Sequence, residues 1–173
     1  METNAKLGHT AKELLGRMLP RQIDNQYQGA LIVVLLWIPL TGVTLWRSLH
    51  HLLAADGGAQ SIATIPLDSF SADGSAAVVG AFSLWGLSQL IIGLIYLAAI
   101  TRYRRLMPLL CLLLILEYLI RYLIGVYKPI PLEGTAPGGV VNIPAVIVGA
   151  ILLALALRRV NPQWPLLRRT LGF

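Results

Sequence analysis

The chain has 173 residues, of which 56% are hydrophobic and 13% are charged, with a formal net charge of +6. The charged share is about half of that in a typical globular domain. A water-soluble fold cannot cover that much apolar surface, whereas a lipid bilayer can, so the composition excludes an ordinary soluble domain. The basic residues flank apolar runs, and the positive-inside rule explains them better than nucleic-acid binding does.

Residues 1–28 are polar and mixed, and they contain a short amphipathic pattern. Thr10 and Glu13 form a T-x-x-E capping box, which is typical of a helix start. The apolar residues that then share one stripe are Leu14, Leu15, Met18 and Leu19. The pattern predicts a short helix on the membrane surface that ends at Pro20. A frayed cytoplasmic tail is the alternative, because such short helices are marginal alone.

Four apolar segments follow, at about 29–46, 76–100, 106–127 and 140–157. About 18 helical residues cover most of a ~30 Å hydrocarbon core at ~1.5 Å per residue. The segments therefore predict an all-α membrane protein, with a bundle of four transmembrane helices over residues 29–157 and a basic tail at 158–173. Trp46 and Arg47 mark the far interface of the first span, although SLHHLLAA can continue that helix.

The basic residues set the predicted orientation. Eleven of the fourteen Lys and Arg residues lie in the N-terminal segment, in the short loop TRYRR and after the fourth span. The first and third loops hold one each, Arg47 and Lys128. The positive-inside rule then places both termini and TRYRR in the cytoplasm, for a multi-pass protein of the plasma (inner) membrane.

The third span contains two ionisable residues, Glu117 and Arg121, which are four apart and share a helix face. Ionisable residues inside a membrane span are costly and suggest function. The polar residues that can join them are Gln89, Asn142, Tyr96, Tyr118 and Tyr122. One interpretation is a pocket for a small polar or amphipathic ligand, or a path for a proton or ion. The other is a self-neutralised pair that fixes helix packing.

No catalytic residue, metal site or cofactor is predicted. Ser83 and Ser88 have no histidine on a neighbouring span, and neither G-x-S-x-G nor H-E-x-x-H is present. His50 and His51 are adjacent and point apart, so they do not converge on a haem iron. Cys111 lies in an apolar run and reads as a small core or lipid-facing residue.

The layout of the spans resembles the DoxX-like group of small four-helix membrane proteins. The residues that carry the resemblance are GLSQLIIGLIYLAAITRYRR followed by LEYLIRYLIG. The resemblance covers the chain from the second span onward. The first span and its long loop depart from the layout of that group. Some members of that group are subunits of quinone-linked sulfur oxidation or other membrane redox systems, so the resemblance implies an accessory redox role.

These observations lead to three expectations for function. The first is a non-enzymatic accessory, assembly or interaction subunit that contacts the lipid bilayer and either another membrane protein or a second copy of itself. The second is a binder or transporter of a small molecule or ion that uses the Glu117–Arg121 pair. The third is a subunit of a quinone-linked redox system.

Overall fold

A computed structural model describes residue 10 and residues 12–160, and over this part of the chain the fold is all-α. Its helices are residues 12–18 (α1), Leu31–Leu53 (α2), Ala72–Thr101 (α3), Met107–Tyr127 (α4), Pro137–Val140 (α5) and Asn142–Leu157 (α6). Short 3-10 turns occupy Leu67–Ser69 and Arg104–Leu106. The predicted all-α class is confirmed. Residues 161–173 of the predicted basic tail lie outside the described residues.

Three of the helical stretches are long and apolar enough to cross a membrane: Leu31–Leu53, Ala72–Thr101 and Arg104–Tyr127. The fourth apolar helix, α6, has 16 residues. In lipid, a helix satisfies all its backbone hydrogen bonds internally, which is why these apolar sequences adopt it. α2 is longer than the predicted first span, because the helix continues beyond Trp46 to Leu53.

The helices form two antiparallel hairpins. α2 packs along α3, and α4 packs along α6, whereas fewer contacts join one hairpin to the other. We call the end with the α3–α4 turn and the C-terminus of α6 the basic end. We call the other end, which has the connections 54–71 and 128–141, the loop end. These two connections meet where the Glu133 N–H donates to the Thr64 carbonyl at 3.0 Å.

The main apolar core lies between the hairpins toward the basic end. Trp37, Met107 and Cys111 are fully buried in it. The Trp37 and Tyr96 rings meet edge to face, with centroids 4.8 Å apart, an arrangement that aromatic pairs favour. This core holds the two hairpins together, and Cys111 occupies the packing role expected from the sequence.

The N-terminal segment is tied to the basic end. The Arg17 guanidinium donates to the carbonyl oxygens of Ala156 and Leu157, which are at the C-terminus of α6. A cation at this position offsets the partial negative charge of the helix end. Asp24 adds an ion pair to Arg105 at 2.9 Å. α1 is helical, as predicted, and these contacts hold the N-terminal segment against α6 and the α3–α4 turn.

Close backbone contact joins α2 and α3. A methyl group at Gly86 would lie 2.7 Å from the His51 Cβ and 3.0 Å from the Leu52 backbone nitrogen. A backbone atom cannot turn away as a flexible side chain can. Small residues permit such approaches between helices in lipid. At Gly80, one of the glycines on the same helix, no atom lies within 4 Å of the added methyl position.

We expect Gly86→Ala to lower the free energy of unfolding by about 1–3 kcal/mol, because the added methyl overpacks the interface. The control Gly80→Ala should leave stability unchanged or raise it by up to about 1 kcal/mol, through helix propensity. Denaturant unfolding in detergent micelles, followed by circular dichroism, measures both. Equal effects of the two substitutions would contradict the close contact.

Candidate functional site

A narrow cleft lies between the two hairpins, on the loop-end side of the apolar core. We call it the hairpin cleft, and its lining residues are Leu40, Thr44, Arg47, Gln89, Ile92, Tyr96, Leu114, Glu117 and Tyr118. They come from α2, α3 and α4. The free volume is about 10 Å³, close to the minimum that holds one water molecule. A larger ligand therefore needs the hairpins to separate.

The predicted pair of Glu117 and Arg121 is present. Arg121 Nη1 and Glu117 Oε1 are 3.5 Å apart, and the side chains are 24% and 31% exposed. The Arg121 guanidinium carbon also lies 5.5 Å from the centre of the Trp85 ring and 5.3 Å from that of Tyr118. Such cation–π contacts gain strength where water is excluded. Arg121 is therefore positioned by two aromatic rings as well as by its carboxylate partner.

A second arginine, Arg47, belongs to the same cluster. Its Nη2 donates to Gln89 Oε1, and its guanidinium carbon lies 5.7 Å from the centre of the Trp85 ring. Its Nε is buried and has no hydrogen-bond partner. From the sequence, Arg47 marks the far interface of the first span. α2 continues past it to Leu53, as SLHHLLAA allows, so Arg47 lies within the helix and not at its end.

Helical spacing connects Arg47 and Trp85 to the cleft, although neither is among the predicted site residues. Arg47 follows Thr44 by three residues, and Trp85 precedes Gln89 by four, so each shares a helix face with a cleft residue. Trp85 contacts both guanidinium groups.

The charges in and beside the cleft do not cancel. Arg47 and Glu117 line the cleft with one charge of each sign. Arg121, which is outside the lining, adds a second positive charge beside Glu117. Arginine stays protonated in proteins, and a charge removed from water is costly unless it is paired. Gln89 offers Arg47 a neutral oxygen only. The cluster therefore favours the approach of an anionic group.

The structure brings some of the predicted site residues together and leaves two apart. Gln89, Tyr96 and Tyr118 line the hairpin cleft beside Glu117. Tyr122 is on α4 but is 42% exposed and does not line the cleft. Asn142 is buried at the start of α6, also outside the lining, and its Oδ1 has no hydrogen-bond partner.

The two histidines hold the 54–71 connection. His51 is 1% exposed, its Nδ1 is 2.8 Å from the Gly57 carbonyl oxygen, and its ring centroid is 4.8 Å from that of Trp85. A carbonyl can only accept, so this contact requires a proton on Nδ1. Gly58, at φ +74°, approaches the same ring closely. His51 thus supports Trp85 from the side of the loop.

Asp56 organises the turn that reaches His51. Its carboxylate accepts backbone N–H groups from Ser61 at 2.7 Å, Gly58 at 2.9 Å and Gln60 at 3.2 Å. Burial raises the pKa of Asp56, but these hydrogen bonds outweigh it and lower the pKa to about 2. Hydrogen bonds that stabilise the ionised form have this effect. Over the described residues, no group of three His, Cys, Asp or Glu side chains is placed to hold a metal.

The low pKa of Asp56 predicts an acid-sensitive loop. The folded pKa is below the unfolded value of about 3.9, so the stabilisation is complete above about pH 4 and is lost as the pH falls toward 2. We expect Asp56→Asn to lower the Tm at about pH 5 and to make the Tm decrease less between about pH 4 and 2 than it does in the unmodified chain. The control Asp68→Asn should show the same decrease in Tm as the unmodified chain. Thermal unfolding in detergent provides the measurement, and identical profiles for the two variants would contradict the assignment.

Comparison with known proteins adds no relative. No protein-family model matches the chain, and no curated protein or solved structure matches it.

Proposed function

We propose that this membrane protein binds or transports a small molecule with an acidic group, which it holds in the hairpin cleft. The observation that supports the proposal is the convergence of Arg47, Gln89 and Glu117, from three different helices, on one cleft inside apolar helices. Intramembrane ionisable residues usually face a bundle interior or a wet cavity and mark substrate or ion pathways.

The unbalanced charge distinguishes this proposal from a purely structural role. A self-neutralised pair accounts for Glu117 and Arg121, because interhelical polar contacts commonly fix packing. It does not account for Arg47, whose Nε is buried without a partner. A group that costs stability and is nevertheless positioned over an aromatic ring is expected where a ligand supplies the missing partner.

The rest of the cleft suits an amphipathic ligand. Leu40, Ile92 and Leu114 line it alongside the polar groups, and they offer apolar contacts to the remainder of the molecule. The hairpins share few contacts with each other. A small separation of α4 from α3 therefore enlarges the cleft while the packing within each hairpin stays intact.

Fluorescence of Trp85 tests the proposal, since both arginines lie beside its ring. We expect decanoate and decyl phosphate to change tryptophan fluorescence saturably, and decyltrimethylammonium to have no such effect. Arg47→Gln should weaken binding about tenfold or more, because it removes one charged hydrogen bond, which contributes ~1.5–3 kcal/mol. It should leave thermal stability unchanged or higher, because it removes an unpaired charge.

The controls separate binding from packing. Lys128→Gln removes a positive charge outside the cleft and should leave binding unchanged, and Trp85→Phe should remove the signal. If Glu117→Gln lowers only thermal stability and probe binding survives Arg47→Gln, the polar cluster serves packing and the proposal is wrong.

The other functional expectations stay predictions. Small residues on helix faces can serve partner binding in lipid, but Gly86, Gly93 and Gly149 make contacts within the hairpins. The DoxX-like resemblance and its implied quinone-linked redox role also stay predictions. A stoichiometric partner that co-purifies in mild detergent would support the accessory role.

We also propose that the chain crosses the membrane four times with the basic end in the cytoplasm, most simply the plasma (inner) membrane. The charge bias of the sequence supports this orientation. α5 directly precedes α6, and residues 137–157 together reach about 30 Å at ~1.5 Å per residue, enough for a fourth span. Cys111 is fully buried, so the natural chain offers little reactive thiol as background.

Engineered cysteines test this topology. Ser69 lies in an exposed stretch of the loop end, and Arg102 lies in an exposed stretch of the basic end, so each can be replaced by cysteine. We expect a membrane-impermeant maleimide to label Ser69→Cys on intact spheroplasts and to label Arg102→Cys only after permeabilisation. The reverse pattern would invert the orientation.

A further inference from the structure

A second cavity lies at the basic end, remote from the hairpin cleft. Its volume is about 70 Å³, and its lining residues are Gly16, Arg17, Gln26, Tyr27, Gln28, Arg105, Pro108 and Ala156. We call it the basic-end cavity. α1, the extended segment before α2, the start of α4 and the end of α6 all contribute to it. It is therefore assembled from parts that only the tertiary fold brings together.

The electrostatic surroundings of this cavity are strongly positive. The described basic residues of the basic end are Lys12, Arg17, Arg21, Arg102, Arg104, Arg105, Arg158 and Arg159, against the acids Glu13 and Asp24. Burial and then repulsion by Arg159 lower the pKa of Arg17, and Glu13 offsets this in part. Glu13 pairs with Arg159 and Asp24 pairs with Arg105, so the two acids compensate only part of this positive charge.

Exposed apolar side chains lie on the N-terminal segment that lines one side of the cavity. Leu15, Leu19 and Ile23, in and just after α1, are each 57% exposed. An amphipathic helix at a bilayer surface buries such side chains among the acyl chains and keeps its polar side in the headgroup region. With α1 at the bilayer surface, as the sequence predicts, the cavity that it lines lies at headgroup depth.

We propose that the basic-end cavity binds the phosphate of an anionic phospholipid, whose acyl chains lie along the apolar face of α1. Basic pockets between membrane helices recognise such headgroups. Arg105 supplies a cation that Asp24 now neutralises at 2.9 Å, so Asp24 competes with the lipid phosphate. Gln26 and Gln28 add amide groups to the lining. Inorganic phosphate shares the headgroup chemistry but cannot use the apolar face.

Native mass spectrometry of the full chain in a neutral detergent tests this assignment. We expect phosphatidylglycerol to bind in preference to phosphatidylcholine at low molar excess. Arg105→Gln should weaken phosphatidylglycerol binding about fivefold, the effect of ~1 kcal/mol per basic residue near an anionic headgroup. The matched control Arg102→Gln removes an exposed arginine that does not line the cavity, and it should bind as the unmodified chain does.

A second variant, Asp24→Asn, distinguishes a loss of lipid binding from a loss of folding in Arg105→Gln. It removes the competing carboxylate and should strengthen phosphatidylglycerol binding, whereas structural damage would weaken it. Equal losses in Arg102→Gln and Arg105→Gln would reduce the effect to general surface charge and overturn the proposal. Equal thermal stabilisation by inorganic phosphate and by phosphatidylglycerol would overturn the lipid assignment in favour of a free anion.

Discussion

The packing around Trp37 is the contact on which the rest of the arrangement depends. It joins the two hairpins toward the basic end, where Trp37 meets Tyr96 and the start of α4. Away from this core, few contacts link one hairpin to the other. The interface between the hairpins toward the loop end can therefore accommodate polar groups, in the hairpin cleft. If that part of the interface were fully apolar, its side chains would pack closely, as they do at the basic end.

Trp85 is the central contact of the polar residues beside the hairpin cleft. It contacts the guanidinium groups of Arg47 and Arg121, and it rests against His51. His51 is in turn held by Gly57, in the turn that Asp56 fixes through backbone hydrogen bonds. The loop end thus buttresses the side chains that line the cleft. Because both arginines contact one ring and Glu117 is the single carboxylate beside them, the cluster keeps an excess of positive charge.

At the basic end, the charged side chains hold the N-terminal segment in place. Arg17 stabilises the C-terminus of α6 through its last carbonyl groups, and Arg105 pairs with Asp24. These contacts hold the N-terminal segment against α6 and the α3–α4 turn while leaving a cavity between them. The positive charge of this end is therefore also arranged locally, around that cavity.

The sequence by itself determined the class of the protein, because apolar runs in lipid must form helices to satisfy their backbones. It also determined that Glu117 and Arg121 pair, since residues four apart on a helix are neighbours whatever surrounds them. Only the tertiary structure decided that Arg47 and Trp85 join this pair while Tyr122 and Asn142 do not. Helical periodicity fixes faces within one helix, but contact between helices depends on where each helix ends and how it rotates against its neighbours. The packing of the two hairpins against each other set these contacts, and it is not a local property of the chain.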